Sequence, residues 1–353
     1  MKIEKSAIIE KLTHLKRVAT AKADLAGAEW QRGILLKDGK LIANNLTTAL
    51  ITPVDSRSDE CFIIPLKAIE MIEKLPDGEI EIALNDNGTL SVKTSGVKSK
   101  FSTYPAEKFS LPEEFEAAKT VHIEGDDLQG ILISVFLFIP QQFPREVCTG
   151  MLFDADGEKL AFVGGDSYKI IKAEIPCADK FNIIVPRASV QMLIPLIEDD
   201  SFEIRTSRKG IQITTGDFTL ISRQIYGSYP PYEKLLKGYG ENVEVDRRAM
   251  MDSLNRLLIC YSEKHLRMAV LQFADGEMSL STHASANEYA DRLEITGGIS
   301  CPDRFAYDAR LLLDCFKVYD GDTIRLSLLK PLNPVFVDDG KLQALVMAMK
   351  IME

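Results

Sequence analysis

Residues 33–43 read GILLKDGKLIA, residues 150–163 read GMLFDADGEKLAFV, and residues 269–281 read AVLQFADGEMSLS. In each, an Asp-Gly pair sits between two apolar, strand-like runs. That pattern predicts a tight β-hairpin, because glycine takes the positive φ such a turn needs at little steric cost. The turn glycines Gly39, Gly157 and Gly276 lie 118 and 119 residues apart. Three hairpins at near-equal spacing in a chain of 353 residues predict a unit repeated three times.

Other segments fall into the same frame. A short strand and an amphipathic helix precede each hairpin: KIEKSAIIEKLTHLKRV, VHIEGDDLQGILISV and VEVDRRAMMDSLNRLL. Ile8, Leu12 and Leu15, then Leu128, Leu132 and Val135, then Met250, Leu254 and Leu257 keep the i, i+4, i+7 spacing of one helix face. A strand and a second helix follow each hairpin, in FIIPLKAIEMIEKL, IIVPRASVQMLIPLI and FAYDARLLLDCFKVY, where Pro65, Pro186 and Asp308 hold equivalent places. Each unit then closes on two more strands. The predicted order is β-α-β-β-β-α-β-β-β three times over, an α+β architecture with helices on one side and strands on the other. Proline-bearing exits place the domain boundaries at about 1–118, 119–240 and 241–353. Three units per chain suit closure as a twofold dimer, which removes exposed sheet edges.

Composition excludes much chemistry. The chain has 42 Lys+Arg against 52 Asp+Glu, a formal charge of −10, and is 46% hydrophobic. It has no apolar run of about 18 residues, so no membrane partner is expected. Charges throughout the opening MKIEKSAIIEKL argue against a secretory signal, so a cytoplasmic location is expected. Six cysteines form no CxxC pair and four histidines are scattered singly, so neither metal nor cofactor is expected. Phosphate-binding glycine loops and a GxSxG nucleophile motif are absent from the sequence. The acidic pairs Asp199-Asp200 and Asp338-Asp339, the one basis for a hydrolase reading, fall in predicted turns where solvated acids are common. The sequence does not read as an enzyme.

The triplicated frame, the phrases IIVPRASVQMLIPLI (183–197) and LISRQIYGSYPPYEKLL (220–236), and MAMKI (347–351) resemble the bacterial DNA polymerase III beta subunit, the sliding-clamp family. The resemblance spans essentially the whole chain and is weakest in the first domain. It implies a head-to-tail homodimer, a pseudo-sixfold ring with helices inside and sheets outside, closed around double-stranded DNA. It also implies a clamp loader, and a DNA polymerase III alpha subunit or equivalent replicative polymerase tethered by the ring, with no catalysis by the ring itself. An acidic rim with a basic bore would then suit sliding, because phosphate contacts are independent of sequence.

The bore residues implied are Lys11, Lys16, Arg17 and Lys22 in the first helical segment, with Gln141, Gln142, Arg145 and Arg187. One segment departs: DDLQGILISVFLFIP carries Asp126 and Asp127 and no Lys or Arg. That feature motivates an alternative, a clamp-like paralogue or scaffold with weakened DNA loading or an altered partner set. Where the family has tyrosines ahead of the Gly150 strand, this chain has Glu146 and Val147.

The family also takes short partner peptides in an apolar pocket. The matching positions are Cys148, Gly165, Ser167, Tyr168, Lys169, Ile170, Pro230, Lys234, Leu235, Leu332, Pro334, Leu345, Met347, Ala348, Met349, Lys350 and Ile351. Methionines suit this work, since flexible thioethers repack around different ligands. The family's usual Gly-His-Arg is Ser167-Tyr168-Lys169 here, and its Met-Pro-Met-Arg-Leu ending is Met347-Ala348-Met349-Lys350-Ile351. Arg to Lys loses the planar fork. Phe101, Ile259 and Cys260 are expected in the dimer contact.

Overall fold

The computed structural model describes residues 1–20, 27–55, 60–113, 119–207, 210–237, 240–261, 267–282 and 287–351. In the first repeat β1 (Lys2–Glu4) leads into α1 (Lys5–Thr20). Four strands follow, β2 (Ile34–Lys37), β3 (Lys40–Asn44), β4 (Thr48–Pro53) and β5 (Phe62–Ile64). Then come α2 (Leu66–Lys74), β6 (Glu79–Leu84), β7 (Thr89–Thr94) and β8 (Val97–Ser102). The second repeat runs β9 (Lys119–Glu124), α3 (Leu128–Phe136), β10 (Gly150–Asp156), β11 (Lys159–Gly165), β12 (Lys169–Pro176) and β13 (Lys180–Pro186). It continues through α4 (Arg187–Leu193), β14 (Ser201–Thr206), β15 (Ile211–Thr215) and β16 (Phe218–Ser222) to the short α5 (Tyr232–Leu235). The third runs β17 (Glu241–Asp246), α6 (Arg247–Ile259), β18 (Met268–Ala274), β19 (Glu277–Thr282), β20 (Ala290–Gly297) and β21 (Phe305–Asp308). It ends with α7 (Ala309–Phe316), β22 (Thr323–Leu328), β23 (Val335–Asp338) and β24 (Leu342–Val346).

Each repeat therefore has four strands between its helices, not the three expected. The additional ones are β4, β12 and β20. The first two are held by partners in the next repeat, β16 and β24 respectively, which no local pattern in TALITP or KIIKAEIP reports. Two of the three hairpin turns follow the Asp-Gly reading; in repeat 2 Asp156 still belongs to β10 and the loop is Gly157-Glu158, with φ of 101° at Gly157. Asp38 and Gly39 have φ of 49° and 69°, and Asp275 and Gly276 have φ of 50° and 79°, the paired left-handed residues of a type I′ turn.

The chain divides into two compact units, Met1–Gln129 with Ala188–Gln224, and Gly130–Arg187 with Ile225–Glu353. The first holds a four-stranded sheet, β1-β6-β7-β8, and an eight-stranded sheet, β5-β2-β3-β4-β16-β15-β14-β9. Ile8, Leu12 and Leu15 of α1 are fully buried, as the helical periodicity requires. The second holds a twelve-stranded sheet, β13-β10-β11-β12-β24-β23-β22-β17-β20-β19-β18-β21. Met250, Leu254 and Leu257 bury one face of α6, which packs on α7.

One expectation about acidic residues changes and another holds. Asp126 and Asp127 precede α3, whose residues LQGILISVF carry no charge at all. The α3 amide of Leu128 instead donates to Asp200 Oδ1 at 2.8 Å. Asp338 and Asp339 likewise accept backbone amides of Gly340, Lys341 and Leu342 in one turn. Their carboxylates are occupied in shaping the chain.

Candidate functional site

The strand register builds one apolar cluster in the second unit, the candidate floor of a peptide cleft. On β10, Leu152 lies opposite Val163 of β11 and Ile184 of β13. On β12, Ile170 lies opposite Gly165 on one side and Leu345 of β24 on the other, and Leu345 faces Phe336 of β23. These side chains form one buried cluster with Cys148, Tyr232 and Leu236, against which Phe143, Ile225 and Tyr229 are half-buried. Gly165 is required by close approach: a Cβ there would lie 2.5 Å from the Lys169 carbonyl oxygen. Asp166 then fixes the turn, its Oδ1 accepting the amides of Tyr168 and Lys169.

Beyond β24 the tail keeps the ladder for one more residue, the Met347 amide donating to the Tyr168 carbonyl at 2.8 Å. Tyr168 and Met347 are 60% and 39% exposed, Leu235 of α5 is 44% exposed and Leu332 is 61% exposed. Scattered exposed apolar residues are ordinary, but a group of them near one apolar cluster makes a candidate binding surface. Lys169 Nζ sits 4.8 Å from the centroid of the Phe138 ring, a cation–π contact in place of a guanidinium stack. Burial raises the Cys148 thiol pKa, so it stays protonated and contributes packing. Burial and a 2.9 Å hydrogen bond to Asp154 raise the Tyr232 hydroxyl pKa.

The same register recurs in the other repeats, with different contents. In repeat 1, Leu35 lies opposite Ile42 and Ile63. There the buried Gln31 carboxamide donates to the carbonyls of Asn44 and Ser110 and accepts the Ser110 amide. Asn44 Nδ2 also donates to the Ser110 carbonyl. Both carboxamides are buried there. In repeat 3, Met349 and Ile351 pack on Met268, Val270 and Ala306, and the Met349 amide donates to the Ala306 carbonyl at 2.7 Å. The tail residues expected together are thus divided. Met347 stands by the repeat 2 cleft, Ala348 bridges Tyr307, and Met349 and Ile351 fill the repeat 3 position.

Residues 122–231 match the family described as DNA polymerase III beta subunit, central domain. The beta sliding clamp of Pseudomonas putida is 28% identical over 270 residues, 74% of this chain and 73% of that protein. The Escherichia coli K12 beta sliding clamp is 22% identical over 296 residues, 81% of this chain and 80% of that one. A crystal structure of the Pseudomonas aeruginosa sliding clamp bound to griselimycin superposes with a TM-score of 0.90 at 23% identity, covering 99% of each chain. All three comparisons point to the bacterial DNA polymerase III beta sliding clamp.

The clamp positions expected to face DNA are unequal in this chain. Lys11 Nζ donates to Asp217 and the Pro53 carbonyl, both at 2.9 Å, and Lys16 pairs with Glu73 of α2 at 2.9 Å. Arg17 is exposed on α1. Gln141, Gln142 and Arg145 are exposed in the segment after α3. Arg187 is instead half-buried, its guanidinium 4.0 Å from the Phe136 ring centroid and its Nε donating to the Ile139 carbonyl at 3.0 Å. Lys22 lies outside the described residues. At the positions expected in the clamp dimer contact, Ile259 is 82% exposed at the end of α6, Cys260 follows it, and Phe101 is half-buried on β8.

Clamp-motif matching missed Tyr229, Tyr232, Leu236 and Phe336. Aligning the repeats by register, through Leu35 with Leu152 and Ile63 with Ile184, would have drawn attention to the floor they share.

Proposed function

We propose that the chain is a DNA sliding clamp, a cytoplasmic processivity subunit that encircles duplex DNA and tethers a replicative polymerase without catalysing a step itself. The supporting observation is an incomplete ladder. The third of the four strands between the helices pairs with the last strand of the next repeat twice, β4 with β16 and β12 with β24. Two matching edges are left over: β20 along Ala290–Glu294 and β8, which closes its sheet beside β7 alone among the described residues. A second copy pairing β8 with β20 would repeat the junction twice more and close a six-repeat ring. Ile259, a large apolar side chain held in water, fits burial at that joint.

In this reading the repeat 2 cleft receives short peptides of the DNA polymerase III alpha subunit or its equivalent, of the clamp loader, and of other partners. The chain should sediment as a dimer at micromolar concentration, stay on nicked circular DNA and slide off linear DNA. Monomeric sedimentation together with equal retention on both templates would refute it. The uncharged α3 and the paired Lys11 and Lys16 favour a second reading, a clamp-shaped scaffold with weak DNA retention. Dimerisation and peptide binding without retention on circles would select it.

A further inference from the structure

We propose that the Tyr229 hydroxyl sets polar specificity in the repeat 2 cleft, donating to an amide carbonyl of the bound peptide where repeat 1 carries its own carboxamide, Gln31. The inference rests on the peptide-cleft reading above and adds the group that the cleft recognises.

Two correspondences carry it. Gln31 stands two residues before Gly33, which immediately precedes β2, as Cys148 stands two before Gly150, which opens β10. Asn44 precedes Asn45, whose Oδ1 accepts the amides of Thr47 and Thr48. Gly165 precedes Asp166, whose Oδ1 accepts the amides of Tyr168 and Lys169 in the same pattern. Repeat 1 therefore fills its cleft with two carboxamides, both bonded to Ser110. Repeat 2 has a thiol and a bare glycine at the corresponding places. Neither place carries a carboxamide.

A polar group remains on the floor. Tyr229 Oη is buried and makes no hydrogen bond of acceptable geometry, although the Gly165 amide, Cys148 and Asp166 are near it. Its ring packs on the cluster containing Cys148 and Ile170. A buried hydroxyl without an acceptor is unfavourable in the empty protein. A ligand that brings a carbonyl removes that penalty and gains a directed bond. A wholly apolar ligand leaves the penalty in place, so the site discriminates by its unmet donor. A peptide satisfies this through a side-chain carboxamide or a main-chain carbonyl, while its bulky apolar residues cover the exposed Tyr168, Leu235 and Met347.

The test uses the full chain and a short fluorescein-labelled peptide carrying one glutamine ahead of a Leu-Phe pair, read by fluorescence anisotropy. Tyr229→Phe should raise the peptide Kd by roughly three- to tenfold, the worth of one hydrogen bond, while the melting temperature holds or rises. Cys148→Gln should supply the missing carboxamide internally, weaken the peptide further, and abolish the effect of adding Tyr229→Phe. Wild-type affinity in the Phe variant, with the wild-type chain binding normally, overturns the inference and leaves the cleft reading intact. Failure of the wild-type chain to bind any such peptide overturns the cleft reading and this inference with it.

Discussion

Arg256 on α6 donates to Asp291 on β20 across 2.6 Å, and Ser253 and Tyr289 donate to the same carboxylate oxygen. The network ties the strand whose edge is open to the helix that ends at Ile259. Asp291→Asn removes the charge that holds Arg256, so β20 should lose its fixed position. The expected result is a dimer dissociation constant raised about tenfold, equivalent to roughly 1.4 kcal/mol, measured by sedimentation equilibrium. Chiefly through Arg256, the folded Asp291 pKa is lowered to about 2. A carboxylate with a depressed folded pKa confers stability above its unfolded value near 4 and loses it as pH falls towards 2. Asp291→Asn should therefore flatten acid unfolding across that window.

Ile259→Asp should convert the dimer to monomer at micromolar concentration without changing the melting temperature of the isolated chain. At 82% exposure the side chain contributes little to its own fold. Its burial at a joint would be worth about 1.5–3 kcal/mol. Unaltered sedimentation of this variant would place the interface elsewhere.

Gly165→Ala should destabilise the second unit by about 1–3 kcal/mol, because the added methyl meets backbone that cannot move aside cheaply. The distances are 2.5 Å to the Lys169 carbonyl oxygen and 2.7 Å to the Ile170 Cα. Circular dichroism melts and peptide anisotropy should fall together, since the same backbone carries Tyr168 to Met347.

Retention on DNA should respond to individual cations in a definite order. Arg17→Glu should weaken it most among single changes on α1, because Lys11 and Lys16 are already engaged by Asp217 and Glu73. Glu73→Gln should strengthen retention by releasing Lys16. Removing one cation from a phosphate lowers the slope of log affinity against log salt by about one, so a salt series on nicked circles reads how many phosphates the bore engages.

His14 should make the first unit sensitive to mild acid. Its ring packs edge-on against Phe218 with centroids 5.2 Å apart, and its Nδ1 has no hydrogen-bond partner. Burial, then the Arg17 charge, holds its pKa below 6.5. The unfolded chain takes up the proton first, so the stability conferred is present above about pH 6.5 and lost as pH falls below it. His14→Gln should remove that slope from thermal melts between about pH 7 and 5.

Periodicity and turn chemistry carried the three-part frame well, because Ile8, Leu12 and Leu15 or Asp38 and Gly39 act within a few residues of each other. The strands β4 and β12 were illegible for the opposite reason: their partners Thr219–Ser222 and Leu342–Val346 lie in another repeat. The charge of α3 was misread by two residues, since Asp126 and Asp127 look helical until Asp200 is seen to cap Leu128. In the cleft, Cys148 and Ile170 could be placed by resemblance. The division of the tail between Met347 and Met349 depended on which β-strand each amide met, a fact that no linear pattern encodes.

The ladders β4–β16 and β12–β24 also separate ancestry from cooperativity. The segment that recurs in the sequence is about a third of the chain, yet each compact unit takes strands from two such segments, and the middle one is divided between them at Gln129, Arg187 and Gln224. Hydrogen exchange should therefore report two blocks of protected amides whose border runs through the middle repeat rather than between repeats. A fragment cut at residue 118 would leave β4 without β16, and one beginning at 241 would leave β24 without β12.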